Sequence, residues 1–252
     1  MSDILEQIDN GILTLTFNRP AKKNSITSDM YATLAKALRQ GATDPKIKVA
    51  IIQGQEEVFT AGNDLADFLK NAADSTSAPA WDFMLALIEF PKPLIAAVSG
   101  VAIGIGTTLL FHCDLVYASD TAKFMLPFVN LGLCPEAASS FLLPRLISHQ
   151  QAAKLLMFGD MFCAQEAMSL GIINEIVKSE DVNAHALAQA NRLLEKPLVS
   201  LMETKRLIKS PLIGEMKKAI DEECEAFASL LKGEALKEAV AAFGEKRKPR
   251  FS

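Results

Sequence analysis

The segment PLIAAVSGVAIGIGTTLLFHCDLVYA, Pro93–Ala118, decides how this chain is read. Pro93 to Val98 is a short apolar run bounded by turn residues, which predicts a strand buried on both faces. Ser99–Gly106 follows as a glycine-rich loop, Thr107–His112 reads as the helix behind it, and Asp114–Ala118 is a further strand. Strand, loop, helix and strand in that order predict an α/β fold.

The same alternation extends outward. Upstream, Val49–Ile52 is a buried strand closed by Gly54. Earlier still, Ile4–Ile8 and Ile12–Phe17 flank Asp9-Asn10-Gly11, a hairpin signal. A helix with Thr27 or Ser28 as N-cap carries an apolar stripe at Tyr31, Leu34, Ala35 and Leu38. Ala78–Phe90, with Trp81, Met84, Leu87 and Ile88, reads as an amphipathic helix whose apolar stripe serves as core or lines a cavity. Downstream, Lys123–Leu126 is a further strand. After about Gly171 the chain turns mostly helical, with Lys196-Pro197 and Ser210-Pro211 as punctuation. Ile220, Cys224, Phe227 and Leu231 recur at helical spacing. The expected division is an α/β core over 1–195, carrying the site, and a helical region over 196–252.

Composition narrows the function classes. The 252 residues are 50% hydrophobic and 22% charged, which excludes a disordered tail, a collagen and a small stapled scaffold. Basic residues number 26 against 30 acidic ones, a net charge of −4, so no broad basic field awaits nucleic acid. Cys113, Cys134, Cys163 and Cys224 are far apart, against a zinc ribbon or a disulfide framework and in keeping with a reducing compartment. No signal peptide, membrane span or C-terminal retention signal is apparent, so a cytoplasmic location is expected. Gly104-Ile-Gly106 lacks the third glycine of a dinucleotide fingerprint, and Walker A, GxSxG and HExxH runs are absent. No metal site is expected, and His112 reads as a core residue.

Two loops carry chemistry. FTAGNDL, Phe59–Leu65, is either an ordinary turn capped by Asn63 or Asp64, or a helix entry whose N–H groups face an anionic oxygen. Ser99–Gly106 is either close backbone packing or a helix start with donors near Ile105. Two convergent donors are what an oxyanion hole requires.

NRPAKKNSI at Asn18–Ile26, FTAGNDL at Phe59–Leu65 and VSGVAIGIGTTLLFHCDLVYASDTAKF at Val98–Phe124 resemble, in order and spacing, the crotonase superfamily of enoyl-CoA hydratases and isomerases. The resemblance implies a spiral of ββα turns with a C-terminal helical trimerisation region. It also implies a homotrimer or hexamer, an acyl-CoA thioester substrate, and no cofactor beyond the coenzyme A of that substrate. The oxyanion donors would be the backbone N–H groups of Asn63 and Ile105. Ala61, Gly62, Asp64 and Leu65 would line the substrate, with Lys22 and Lys23 at the CoA phosphates. Lys246, Arg247, Lys248 and Arg250 are further phosphate candidates, although charge runs are commonly solvated faces.

The family's hydratase glutamates correspond to Thr108 and Phe128, which cannot serve as carboxylates. FMLPFVNLGLCPEAASSFLLPRL at Phe124–Leu146 resembles instead the peroxisomal type of Δ3,Δ2-enoyl-CoA isomerase, whose single glutamate falls on Glu136. The resemblance thus implies a 1,3-proton transfer in fatty acid β-oxidation, with Leu126, Phe128 and Leu131 as apolar walls. Other crotonase-type acyl-CoA enzymes, a hydratase or hydrolase, and a non-catalytic acyl-CoA-binding subunit are the alternatives. Taken alone, Pro135-Glu136 reads as a helix start, a first-turn acid whose replacement moves stability by no more than about 1 kcal/mol.

Overall fold

The computed structural model describes residues 2–55, 57–67 and 79–251. Strands β1 (Ile4–Asp9) and β2 (Ile12–Phe17) form an antiparallel hairpin with Asp9 opposite Ile12. Asn10 and Gly11 have φ of 44° and 82°, the left-handed pair that a two-residue hairpin turn needs. From β2 onward the six-stranded sheet is parallel. Its order is β1-β2-β3-β5-β7-β10, with β3 (Val49–Gln53), β5 (Leu94–Val98), β7 (Leu115–Ser119) and β10 (Glu175–Val177). Ala50 and Ile52 enter the main core, whereas Val49 and Ile51 pack with Val182, Ala186 and Ala190 of the helix Val182–Leu194. Burial on both faces is why these strands read as unbroken apolar runs.

A four-stranded sheet runs β4-β6-β8-β9, with β4 (Val58–Thr60), β6 (Val101–Ile103), β8 (Lys123–Met125) and β9 (Phe162–Cys163). The chain thus winds as a spiral: a strand in the first sheet, a strand in the second, then a helical segment. Ser99–Gly106, read from sequence as one loop, contains β6; a three-residue strand between glycines is too short to show a period of two. Gly100 makes the corner. Its φ is 64°, and a Cβ there would fall 1.8 Å from the Glu57 carbonyl oxygen. The Phe17 and Phe59 rings meet edge-on at 5.3 Å and join the two sheets.

Helix α1 (Ser28–Thr43) is capped by Thr27, whose side chain accepts from the Met30 N–H, and it buries Tyr31, Leu34, Ala35 and Leu38. Helix α2 (Pro79–Glu89) lies on α1 and buries Met84, Leu87 and Ile88, with Trp81 partly covered; Ala78 lies outside the described residues. Helix α3 (Ile105–Thr108) starts at Ile105 rather than Thr107 and tightens into a 3-10 turn over Leu109–His112. There follow α4 (Ser139–Leu146), α5 (His149–Phe158), α6 (Ala164–Ser169), α7 (Val182–Leu194), α8 (Leu198–Leu230) and α9 (Glu234–Gly244).

Pro211 does not punctuate the tail: α8 runs through it. A proline forfeits a backbone donor and crowds one turn. Buried side chains on both sides, Lys205 before it and Met216 and Ile220 after it, hold the helix on the core. Lys205 Nζ donates to Asp114 Oδ2 at 2.6 Å and to the Lys92 carbonyl at 2.7 Å, so its buried charge is paired and ties α8 to the first sheet. Among the described residues no helix is long and apolar enough to cross a membrane.

Candidate active site

Strands β4 and β6 are parallel neighbours, Thr60 opposite Ala102, so the loops leaving their C-terminal ends lie side by side. Glycines let the two loops interlock. A Cβ on Gly62 would sit 2.6 Å from the Ile103 carbonyl oxygen, and one on Gly106 would sit 2.6 Å from Thr60 Cγ2. A third segment fastens the first loop from behind: the Ile26 N–H donates to the Gly62 carbonyl at 2.8 Å, the Asp64 N–H to the Ile26 carbonyl at 2.9 Å and the Ala61 N–H to the Lys23 carbonyl at 2.9 Å. Those bonds use the N–H groups around Asn63. Neither the Asn63 nor the Ile105 N–H donates to any described residue, although Ile105 itself is buried.

Glu136 does not open a helix. Ala137 and Ala138 have φ of 59° and 56°, and α4 begins only at Ser139. The two left-handed residues reverse the chain path, and the Ser139 N–H and hydroxyl fold back to the Glu136 carbonyl at 3.1 and 2.6 Å. Two neighbours brace this corner. His112 Nε2 donates to the Ala137 carbonyl at 2.7 Å, while its buried Nδ1 has no partner among the described residues. Burial, aided by the Lys209 charge, holds the His112 pKa near about 3, so the ring is neutral. From α8, Glu223 accepts from the Ala138 N–H at 2.6 Å, the Ser140 N–H at 2.9 Å and the Ser140 hydroxyl at 2.5 Å.

Glu136 is 5% exposed. Its Oε1 accepts from Thr108 Oγ1 at 2.6 Å, and its Oε2 is buried with no partner among the described residues. Burial pushes its pKa up to about 8; the Thr108 bond works against that and the nearby Glu223 charge adds to it. A buried oxygen with an unmet hydrogen bond is uncommon in a folded protein and leaves an acceptor free at this point.

Tyr31 joins this group from α1. Its hydroxyl donates to Asn63 Oδ1 at 2.5 Å, and burial first, then the Glu136 charge, raises its pKa. The stripe reading put Tyr31 in the core and missed this. The available signal was a hydroxyl among apolar neighbours, because a buried tyrosine O–H seeks a partner. Thr108, read from sequence only as a lost acid, is the donor that holds Glu136.

Asp64 caps its own turn, accepting from the Ala66 and Asp67 N–H groups at 3.1 Å each. Its other oxygen takes Arg19 Nη1 at 2.7 Å, and that contact is the chief cause of its lowered pKa. Ala61 and Leu65 are half-buried beside it, and Lys22 and Lys23 are exposed on the loop that holds Ala61. Arg247 is engaged by Glu238 at 2.5 Å and Glu245 at 2.6 Å, and the Arg250 N–H by Glu238 at 2.7 Å; Lys246 and Lys248 are exposed. Leu126 and Phe128 are buried and Leu131 partly buried in the same core cluster as Ile105 and Leu109. Among the described residues no group of three or more His, Cys, Asp or Glu is placed to hold a metal ion.

A family model described as enoyl-CoA hydratase/isomerase matches residues 7–252. The chain belongs to the enoyl-CoA hydratase/isomerase family. Within that family, rat "Enoyl-CoA delta isomerase 2" is 34% identical over 98% of this chain and 64% of its own length. The chain therefore spans less than two thirds of that relative. Escherichia coli K12 "1,2-epoxyphenylacetyl-CoA isomerase" is 33% identical over 100% of this chain and 99% of its own. The crystal structure of an enoyl-CoA hydratase/isomerase from Pseudoalteromonas atlantica covers 100% of both chains at 37% identity, with a TM-score of 0.95. The spiral and its helical C-terminal region are thus the crotonase fold.

Proposed function

We propose that this protein is a Δ3,Δ2-enoyl-CoA isomerase that moves the double bond of a 3-enoyl-CoA to the 2-trans position, a reaction of unsaturated fatty acid β-oxidation. The observation that carries this is Glu136: a buried carboxyl with one oxygen held by Thr108 and the other unpartnered. In the proposed reaction the thioester carbonyl oxygen accepts from the Asn63 and Ile105 N–H groups, which stabilise negative charge as it develops. Glu136 Oε2 takes a proton from C2. The C2–H electron pair joins the π system as a dienolate, and the carboxylic acid so formed gives its proton to C4. The double bond moves from C3–C4 to C2–C3 with no net oxidation and no water consumed. A carboxyl with pKa about 8 suits both halves, because its acid form holds the proton long enough to deliver it.

Thr108 and Phe128 stand at the positions of the hydratase acids, so no second carboxylate is offered there to activate water. Lys22 and Lys23, on the exposed loop beside Ala61, are suited to the CoA phosphates. The test is to supply 3-hexenoyl-CoA and crotonyl-CoA to one preparation, monitoring formation of the conjugated enoyl thioester and hydration respectively. Isomerisation is expected to exceed hydration by orders of magnitude; comparable specific activities would overturn the proposal.

A further inference from the structure

Glu223 is the other buried acid at this centre, and the proton transfer does not use it. It comes from α8, far along the chain, and is 7% exposed. The Ala138 N–H and the Ser140 N–H and hydroxyl fill both of its oxygens with donors, an arrangement that suits the ionised carboxylate. These donors belong to the corner next to Glu136, where Ala137 and Ala138 are both left-handed. Such backbone is strained for a residue with a side chain and persists only when its surroundings over-determine it. Without that corner, Pro135–Ser140 would be free to continue α4 backward, and the Glu136 carboxyl would turn with the helix.

We infer that Glu223 is a positioning residue: its carboxylate clamps the Ala138–Ser140 backbone so that Glu136 presents its unpartnered oxygen to the substrate. This rests on the isomerase reading for its kinetic consequence, but not for its geometry. Position is one half of the effect and charge the other. Burial raises the Glu223 pKa and its three donors work against that rise; when ionised, Glu223 is a like charge beside Glu136 and opposes the ionisation of that carboxyl. The remaining titratable groups that face Glu136 are the Tyr31 phenol and the Cys134 and Cys224 thiols, all raised chiefly by burial, so none contributes a charge near neutral pH. His112, across the corner, is neutral as well. Among the described residues that face Glu136, Glu223 is therefore the acid whose removal should move the Glu136 titration.

The test compares wild type, Glu223→Gln and Ser140→Ala as full-length proteins. The measurements are kcat and KM for 3-hexenoyl-CoA across pH, the melting temperature, and the carboxyl 13C titration of Glu136 without substrate. Glu223→Gln is expected to lose about 10–100-fold in kcat, the usual cost of misplacing a catalytic group by about 1 Å. Its Glu136 titration should also move to lower pH. Ser140→Ala keeps the charge and loosens the clamp, so kcat should fall several-fold with the titration in place. A role in stability alone would lower the melting temperature and leave kcat at the wild-type value in both variants. An unmoved Glu136 titration in folded Glu223→Gln, or kcat within twofold of wild type, overturns the inference. If Glu223→Gln does not fold, unchanged kcat in Ser140→Ala overturns it and a several-fold loss supports it. Absence of isomerisation in wild type would overturn the function proposed above and leave the 13C titration to judge Glu223.

Discussion

The proposed reaction places its proton transfer on one carboxyl, Glu136, and the surroundings of that carboxyl fix the sign of each expected pH effect. Its pKa rises from the ordinary 4.5 to about 8 in the fold, mainly through burial. The base form is the ionised one, so kcat/KM for 3-hexenoyl-CoA should rise about tenfold per pH unit below about 8 and level off above it. Stability should run the other way. Between about 4.5 and 8 the unfolded chain releases this proton while the folded protein keeps it, so Glu136 lowers stability as pH rises through that window. Glu136→Gln should therefore lose about 10²–10⁴ in turnover and yet gain in melting temperature relative to wild type as the pH approaches 8. That replaces the stability-neutral substitution expected of a first-turn acid; the melting curves of both proteins across pH decide it. Thr108→Val removes the donor that favours the ionised form, so the rising limb of the pH profile should move to higher pH. A limb unchanged in Thr108→Val would mean that the Thr108 bond does not bear on the base. Glu136 itself was legible from its motif. Its raised pKa, its Thr108 donor and the Tyr31 contact were not, because each depends on residues distant in the chain that only packing brings together.

At the scale of elements, the site is made by the ends of two short parallel strands. The close approach of Gly62 to the Ile103 carbonyl, at a φ of 85°, leaves no room for a side chain. Gly62→Ala should destabilise the protein by about 1–3 kcal/mol and lower turnover, since the loops must part to admit the methyl group. A variant of unchanged melting temperature and activity would show that the loops are not so coupled. Ile105 stands at the first position of α3, where proline is tolerated by the helix, although the buried isoleucine side chain is lost together with the N–H. Ile105→Ala loses the same buried side chain and keeps the N–H, so it should cost stability but leave most of the turnover, whereas folded Ile105→Pro should lose about 10²–10³ in turnover; near-normal turnover in the proline variant would remove Ile105 from the site. The glycines announced both loops in the sequence. The strand β6 inside the second loop and the left-handed corner before α4 did not announce themselves. The strand is too short to show a period, and alanine carries no signal for positive φ.

At the scale of the whole molecule, α8 reaches from a tie at Asp114 to the clamp at Ala138–Ser140, and so spans the core and the site. It also exposes Val199, Leu207 and Ile208 at 79%, 59% and 68%. Apolar surface of this kind on a helical tail is what subunit contacts cover, so self-association is expected, and the family resemblance makes the expected form a homotrimer; sedimentation showing a stable monomer at micromolar concentration would contradict it. The sequence by itself determined the α/β order, the hairpin and the paired glycine loops, and it singled out Glu136 as the candidate acid, because period, turn chemistry and motif order are local and survive in one dimension. Only the tertiary structure decided that α8 continues through Pro211, that Tyr31 and Thr108 belong to the site, and that Glu223 holds the corner beside Glu136. Those outcomes depend on which buried polar group finds a partner. Hydrogen bonds between residues 28 positions apart, as for Thr108 and Glu136, or 85 apart, as for Ala138 and Glu223, exist only once the spiral has closed.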